Sequence, residues 1–319
     1  MDALEDVLRL TGLTGGVFLD AEFTAPWSVT GQVSAEMCAP FMAPPERLAA
    51  FHYVIEGVLV VTLPDGASWR LGAGEAVLLP HNEMHTLASA PNLPPVSPSE
   101  LFRTIGPNGV ARIVHGGGGK LTRMVCGFLG GNVQLHPLLT NLPRVVTLDL
   151  ATLPSGEWIA RTFAYAAQTL AEGDAGAPTV LMKVSELMFV EAVRRYLAGL
   201  PPEQTGWLAG LRDPAIGRAL ALMHARLNED WTTDALARAA NLSRSAFAER
   251  FTTLIGVPPM RYLTNWRMQA AMQKLRATRL MVAQIAFEVG YESEASFTRA
   301  FRRETGLPPA AWRAEYAPP

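Results

Sequence analysis

Only two of the 319 residues are cysteine, Cys38 and Cys126. Two thiols cannot build a disulfide framework, so a reducing, cytoplasmic setting is expected. Long apolar runs are missing as well. The nearest, VLMKVSELMFVEAV, is broken by Lys183 and Glu186 and falls short of the roughly 20 apolar residues of a membrane helix. The opening MDALEDVLRLTGL lacks a basic segment followed by an apolar one, so no secretory signal is expected. Net charge is scarce too, only −2 at pH 7, which argues against a nucleic-acid partner until it is divided along the chain. From residue 208 onward there are 15 basic and 10 acidic residues, and before it 12 basic and 19 acidic. Such asymmetry is expected when one half faces nucleic acid. Apolar residues are abundant, at 49%, which excludes a disordered chain. The length exceeds what one hydrophobic core usually organises and predicts two domains.

Residues 15–150 read as strands: short apolar runs such as HYVIEGVLVVTL and EAVLLP, separated by PDG, LGAGE, PNLPPVSP and HGGGG. Many short strands at this spacing predict a barrel or sandwich. The stretch 90–120 is rich in Pro and Gly and reads as a long loop region. After Pro154 the period changes to that of helices. In the segment 178–198, Leu181, Val184, Leu187 and Met188 form one apolar stripe. That stripe suits either packing on the strands or a dimer seam. LPPEQTG at 200–206 reads as an interdomain linker. Beyond it the pattern is almost wholly helical, with Asp213-Pro214, Thr232 and Ser243 as helix starts.

The basic half contains an internal repeat. LARAANLSRSAFAERFTTLIGVPP at 236–259 matches IAFEVGYESEASFTRAFRRETGLPP at 285–309. Each copy reads as helix, tight turn, helix and a Gly-x-Pro-Pro stop. Ala237 and Ala286 are small where two helices cross, and Asn241 and Gly290 fall where the chain needs a left-handed residue. Phe247/Phe251 and Phe297/Phe301, four apart, anchor each second helix inward. The opposite face then carries Ser245, Ala248, Glu249 and Thr252 with Arg244 near the start in the first copy. In the second it carries Ala295, Thr298, Arg299 and Arg302 with Glu294 near the start. Ser243 and Ser293 are candidate caps that could also meet phosphate. Between the copies, about 17 helical residues would span about 26 Å, close to the roughly 34 Å of one DNA turn.

With these residues in view, 213–316 resembles the DNA-binding domain of AraC/XylS-family transcription regulators, above all through IAFEVGYESEASFTRAFRRETGLPPAAWR and LARAANLSRSAFAERF. The resemblance implies seven helices and base contacts from both second helices. It places those contacts on Ser245, Ala248 and Glu249, and on Ala295, Thr298 and Arg299. Arg299 is the foremost candidate for direct base reading, since Arg on guanine is the commonest specific contact. Arg244, Arg302 and Arg303 are candidate phosphate partners.

FHYVIEG and LGAGEAVLLPHNEMH resemble the two motifs of the cupin barrel. Gly74, Pro80 and His85 hold second-motif spacing, with Asn82 in place of glycine, and His52 and Glu56 hold first-motif spacing with Ala50 in place of a histidine. AEFTAPW, MVCGFLG and HPLLTNLP add to a likeness with the cupin-type sensor domain that precedes some AraC-family domains. If His52 and His85 project inward from adjacent strands, Cys126 is a candidate third metal ligand, with His81 and His136 in reserve. A His/His/Cys set with an open position suits Zn²⁺. The same histidines suit an organic effector in a pocket with Trp27, Glu56 and Trp69, and Cys126 beside them suits oxidant sensing.

The expected architecture is an α+β multidomain chain: a cupin-like β-barrel sensor at 1–152, a helical dimerisation and linker region at 153–205, and an all-α double helix-turn-helix domain at 206–319. The expected function is sequence-specific transcription regulation on double-stranded DNA, controlled by a small-molecule, metal or redox signal. A homodimer is expected, RNA polymerase would be a partner of an activator, and no membrane is involved. The alternative is a metal-dependent cupin enzyme, dioxygenase-like, with a helical appendage.

Overall fold

A computed structural model describes the whole chain except residues 1–3, 6, 9–12, 39–41, 43–44, 46, 98–100, 102–109, 132–136, 173–175, 202–205 and 317–319. Two compact units emerge. One comprises Leu13–Gln134 and Leu142–Gly199, the other Met1–Gly12, Leu135–Asn141 and Leu200–Pro319.

In the first unit the strands are β1 (Thr14–Thr24), β2 (Ser28–Gly31), β3 (Arg47–Glu56), β4 (Val58–Thr62), β5 (Ser68–Gly72), β6 (Glu75–Leu79), β7 (His85–Ala88), β8 (Ala111–Gly116), β9 (Leu121–Gly131) and β10 (Val146–Asp149), with a short helix α1 at Ala35–Cys38. They form a six-stranded sheet in the order β10-β6-β3-β9-β1-β8 and a four-stranded sheet in the order β2-β7-β4-β5. The expected barrel is thus two sheets, not one closed ladder. The chain changes sheet between β5 and β6 at a tight turn, where Gly74 takes φ +83° and its N–H donates to the Val54 carbonyl at 2.8 Å. Leu19, Phe23, Val54, Leu59, Val61, Leu71, Val77, Leu87, Ile113, Met124 and Phe128 fill the space between the sheets.

The six-stranded sheet is buried on both faces, which is why β3, β6 and β9 read as continuous apolar runs rather than alternating ones. On its outer side lie α3 (Gly156–Glu172) and α4 (Ala177–Gly199), which follow the second unit's α2 (Pro137–Asn141) and a 3₁₀ turn at Leu150–Thr152. Phe163 of α3 stacks on Tyr53 of β3 at 4.8 Å and meets Phe51 edge-on at 6.3 Å. Leu181, Val184, Met188, Phe189 and Val193 of α4 are all buried within this one chain. The apolar stripe therefore has its cover in the sheet. The approach is close: a Cβ on Gly15 of β1 would lie 2.8 Å from the Met182 carbonyl, so glycine is needed there.

The second unit is helical: α5 (Trp207–Arg212), α6 (Pro214–Ala225), α7 (Thr233–Ala239), α8 (Arg244–Ile255), α9 (Pro259–Ala277), α10 (Val282–Glu288), α11 (Glu294–Thr305) and α12 (Pro309–Tyr316). The starts of α6, α7, α8 and α11 match their sequence signals. The Asp213 carboxylate accepts from Ala215 and Ile216 N–H at 3.0 and 2.9 Å, with Pro214 in the first turn. Thr232 caps α7, Ser243 caps α8 and Ser293 caps α11. Removing the last of these, Ser293→Ala, is expected to cost about 1 kcal/mol, read as a shifted urea midpoint of the full chain.

Candidate nucleic-acid interface and effector cavity

The repeat folds into two helix-turn-helix pairs, α7–α8 and α10–α11. Ala237 and Ala286 are fully buried where each pair crosses. Asn241 (φ +56°) and Gly290 (φ +84°) take the left-handed conformation in the turns. Equivalent hydrogen bonds close both: Leu242 N–H to Ala237 O and Tyr291 N–H to Ala286 O, each 2.9 Å. The one-residue insertion lies in the second turn, where two residues instead of one separate the left-handed residue from its capping serine. Phe247, Phe251, Phe297 and Phe301 are buried. Tyr262 takes Phe251 edge-on at 5.7 Å, as Trp312 takes Phe301 at 6.0 Å. This aromatic pair extends the repeat one helix further than the matched segments, and its signal was the shared Pro-x-x-aromatic spacing after each stop.

Burying the phenylalanines turns the other face of each second helix outward. Ser243, Arg244, Ser245, Glu249, Ser293, Ala295, Arg299, Arg302 and Arg303 are exposed, and Ala248 and Thr298 are half-buried. The arginines differ in what they touch. Arg244 lies 3.5 Å from Asp234 across solvent, a pair of little net strength. Arg303 leans on Glu304 at 3.4 Å, a carboxylate that Arg261 already grips at 2.7 and 2.9 Å. For Arg299 and Arg302 no ion pair occurs among the described residues, so both guanidinium groups stand open to an anionic ligand.

In the first unit, a cavity of about 40 Å³ lies between the sheets, room for about three waters. Its walls are mainly apolar, including Leu19, Phe23, Val29, Leu87, Ile113 and Met124, with Met37 of α1 and Leu101 from the loop region. His52, His85 and Cys126 all line it. His52 and Cys126 are cross-strand partners on β3 and β9. His85 is on β7 of the other sheet, so the histidines face each other across the sandwich and do not come from adjacent strands.

Their Nε2 atoms are 2.8 Å apart, and His85 Nδ1 is 2.8 Å from the Glu83 carbonyl. A carbonyl only accepts, so His85 carries its proton on Nδ1. Its Nε2 is then an acceptor, and His52 donates from Nε2. Both imidazoles are held neutral, His52 by burial and by His85, and His85 chiefly by burial. Unfolded histidines take up protons near 6.5, whereas these resist, so stability is expected to fall as pH drops below that value. The slope for each histidine is about 1.4 kcal/mol per pH unit at most, measurable as urea midpoints between pH 7 and 5.5.

The arrangement does not fit zinc. Two nitrogens on one tetrahedral zinc would stand about 3.3 Å apart at Zn–N distances of about 2.0–2.1 Å, and here the lone pair and proton are spent on each other. Burial, then Asp20, pushes the Cys126 thiol up, which disfavours the thiolate that reaction with an oxidant needs. His81 is exposed and sits 3.0 Å from the Leu142 carbonyl, and His136 lies outside the described residues. Among the described residues no group of three or more His, Cys, Asp or Glu side chains is poised for a metal.

Trp27, Glu56 and Trp69 do not line the cavity either. Trp27 is spent on stacking with Phe23 at 4.3 Å, Glu56 is exposed at the end of β3, and Trp69 packs half-buried against the core from β5. The lining that sequence reading missed includes Gly31, on which a Cβ would lie 2.5 Å from His85 Nε2, and Met37, which had no motif to mark it. Asn82, in the place of the motif glycine, takes φ +49° and ties down Val33 through both its N–H and its carbonyl, at 3.0 and 2.8 Å. Burial also pushes the Cys38 thiol up, to about 11.

Compared with known proteins, residues 2–198 match a family described as Cupin, and residues 236–315 match a family described as Helix-turn-helix domain. The chain is 32% identical over 315 residues to a putative AraC-like transcription regulator of Streptomyces lividans, covering 98% of each. It is 31% identical over 314 residues to a putative AraC-like transcription regulator of Streptomyces antibioticus, again covering 98% of each. To the RCS-specific HTH-type transcriptional activator RclR of Escherichia coli strain K12 it is 28% identical over 316 residues, covering 98% of this chain and 97% of the relative.

Proposed function

Because this chain belongs to the AraC-like transcription regulators, with a cupin region ahead of a helix-turn-helix domain, we propose that α8 and α11 both enter the DNA major groove and that the cavity between the sheets receives the signal. The protein is a DNA-binding transcription regulator. Relatives matched along their whole length are regulators by name, which removes the cupin enzyme from consideration. The observation that carries the DNA reading is the duplicated helix-turn-helix with capped, outward-facing second helices. In this reading Ser245, Ala248, Glu249, Ala295, Thr298 and Arg299 meet base edges, and Ser243, Arg244, Ser293, Arg302 and Arg303 meet phosphates.

The proposed division is a sensor at 1–152, a helical and linker region at 153–205 and the DNA-binding domain at 206–319. An effector acts by binding one conformation of the chain more tightly than another. An organic ligand is favoured over zinc by the apolar walls and by the hydrogen-bonded histidines. A homodimer belongs to the same reading, supported by the exposed Trp158 and Tyr165, seven apart on α3, and RNA polymerase is the further partner if the protein activates. Among the described residues no helix is long and apolar enough to cross a membrane, in keeping with action in the cytoplasm. Footprinting on the DNA upstream of its own coding sequence tests the reading: protection of two successive major grooves, weakening steeply with salt, is expected. Absent or salt-insensitive binding would overturn it.

A further inference from the structure

The internal repeat puts opposite charges at one position. Phe247 and Phe297 are its matched inward anchors, and two residues beyond them the first copy has Glu249 where the second has Arg299. Both phenylalanines are fully buried, and two residues turn a helix by about 200°. Glu249 and Arg299 therefore stand exposed on the outward faces of α8 and α11. Glu249 has no ion pair among the described residues. Its helical neighbours three and four residues away, Ser245, Ala246, Thr252 and Thr253, carry no charge. The nearest arginines in sequence turn elsewhere, Arg250 to Asp213 at 3.0 Å and Arg244 to Asp234 at 3.5 Å. One turn further along, the first copy has Thr252 and Thr253 where the second has Arg302 and Arg303. The outward face of α11 is thus basic and that of α8 is not.

We propose that Glu249 reads the amino group of a cytosine, and that the site covered by one chain is therefore asymmetric, with cytosine beneath α8 and guanine beneath α11. The proposal deepens the reading of both helices as major-groove readers and rests on it. A carboxylate only accepts hydrogen bonds. In the major groove guanine offers two acceptors, thymine an acceptor and a methyl group, and adenine an acceptor beside its amino group. Cytosine offers a donor alone. Facing any other base, the carboxylate brings its charge against a lone pair, and it lies among phosphates that repel it. Glu249 therefore lowers affinity for DNA in general and restores it at one base, whereas Arg299, Arg302 and Arg303 raise affinity. The first motif thus selects without attracting, and the second does both. A direct repeat of one half-site would satisfy only one of the two helices.

In vitro selection from randomised duplexes, with the unaltered full chain and with Glu249→Ala and Glu249→Gln, tests this. The unaltered chain is expected to enrich a site that does not repeat within the stretch one chain covers. One position should be cytosine, and replacing it should weaken binding about 5- to 150-fold. Glu249→Ala is expected to lose the preference at that position alone, and to bind unrelated duplexes more tightly than the unaltered chain, by about 2-fold or more. Glu249→Gln is expected to move the preference from cytosine to adenine, whose N6 and N7 suit an amide. Glu249 is exposed, and an unchanged urea midpoint in each variant separates a lost contact from a lost fold. Three results would overturn the inference: Glu249→Ala weakening all sequences alike, the same bases in both grooves served by one chain, or an unchanged preference in both variants. A chain that enriches a site by any of these patterns keeps the regulator reading, whereas a chain that enriches no duplex loses that reading as well.

Discussion

Replacing Arg299 by alanine is expected to weaken binding to the specific DNA site by about 1–3 kcal/mol, on the order of 10- to 100-fold, and to relax selectivity at one base pair. The size follows from position. Arg299 lies two residues after the buried Phe297 on α11, on the side opposite the core, and makes no ion pair among the described residues. Its guanidinium therefore loses no existing partner on reaching a guanine. Arg302→Ala is the control, because a phosphate contact carries no sequence information. It is expected to weaken all sequences alike and to reduce the salt slope by about 1. Competition titrations with matched and scrambled duplexes, at two or more salt concentrations, separate the two. If Arg299→Ala weakened all sequences equally, the assignment of Arg299 to a base would be overturned. Ser293→Ala adds to any loss of a phosphate contact a loss of the cap of α11.

Gly290→Ala is expected to be the most damaging small substitution in the second helix-turn-helix, at about 3 kcal/mol. Two costs combine. A non-glycine residue held at φ +84° carries roughly 1–2 kcal/mol of backbone strain. The new Cβ would also stand 2.4 Å from the Leu227 carbonyl and 2.6 Å from Arg267 Nη2, and relieving such crowding costs about 1–3 kcal/mol. Arg267 has little room to withdraw. It donates to the carbonyls of Leu227 and Glu229 at 2.9 and 2.8 Å, and its guanidinium lies 5.9 Å from the centre of the Tyr291 ring. Gly306→Ala is the matched control, with φ +82° and open space around the added atom, and should cost only about 1 kcal/mol. Amide exchange in α9–α12 under increasing urea would read both, and equal losses would show that the crowding beneath the turn is not what limits the site.

The helical half was legible because its signals are local. Caps such as Asp213, Thr232, Ser243 and Ser293, the left-handed residues Asn241 and Gly290, and phenylalanines four apart act within a few residues of themselves. Repetition then doubled each weak signal, so the outward faces of α8 and α11 followed from where the phenylalanines had to go. What the pattern could not show was the division of labour among the arginines. That depends on Asp234 of α7, which Arg244 approaches, and on Arg261 of α9, which grips the Glu304 carboxylate beside Arg303.

In the sheet-rich half, sequence read the elements and the histidines but misjudged their company. Spacing alone put His52 and His85 on adjacent strands with a cysteine, which is the chemistry of a metal site. Whether two strands are neighbours or face each other is a matter of long-range pairing, and here β3 and β7 belong to opposite sheets. From that one fact come the hydrogen bond between the rings and the spent ligand nitrogens. Trp27 and Trp69 failed as pocket residues for a similar reason, since large aromatics serve equally to fill a core and to line a cavity.

The division of charge along the chain and the internal repeat were enough, by themselves, to determine a two-part chain whose basic half is built to hold DNA, because composition and helical period act locally. Tertiary structure alone decided that the apolar helix α4 is covered by its own sheet and that the histidines bond each other instead of a metal. Those outcomes depend on which distant segments meet, and backbone pairing across the sandwich, not any nearby residue, selects them.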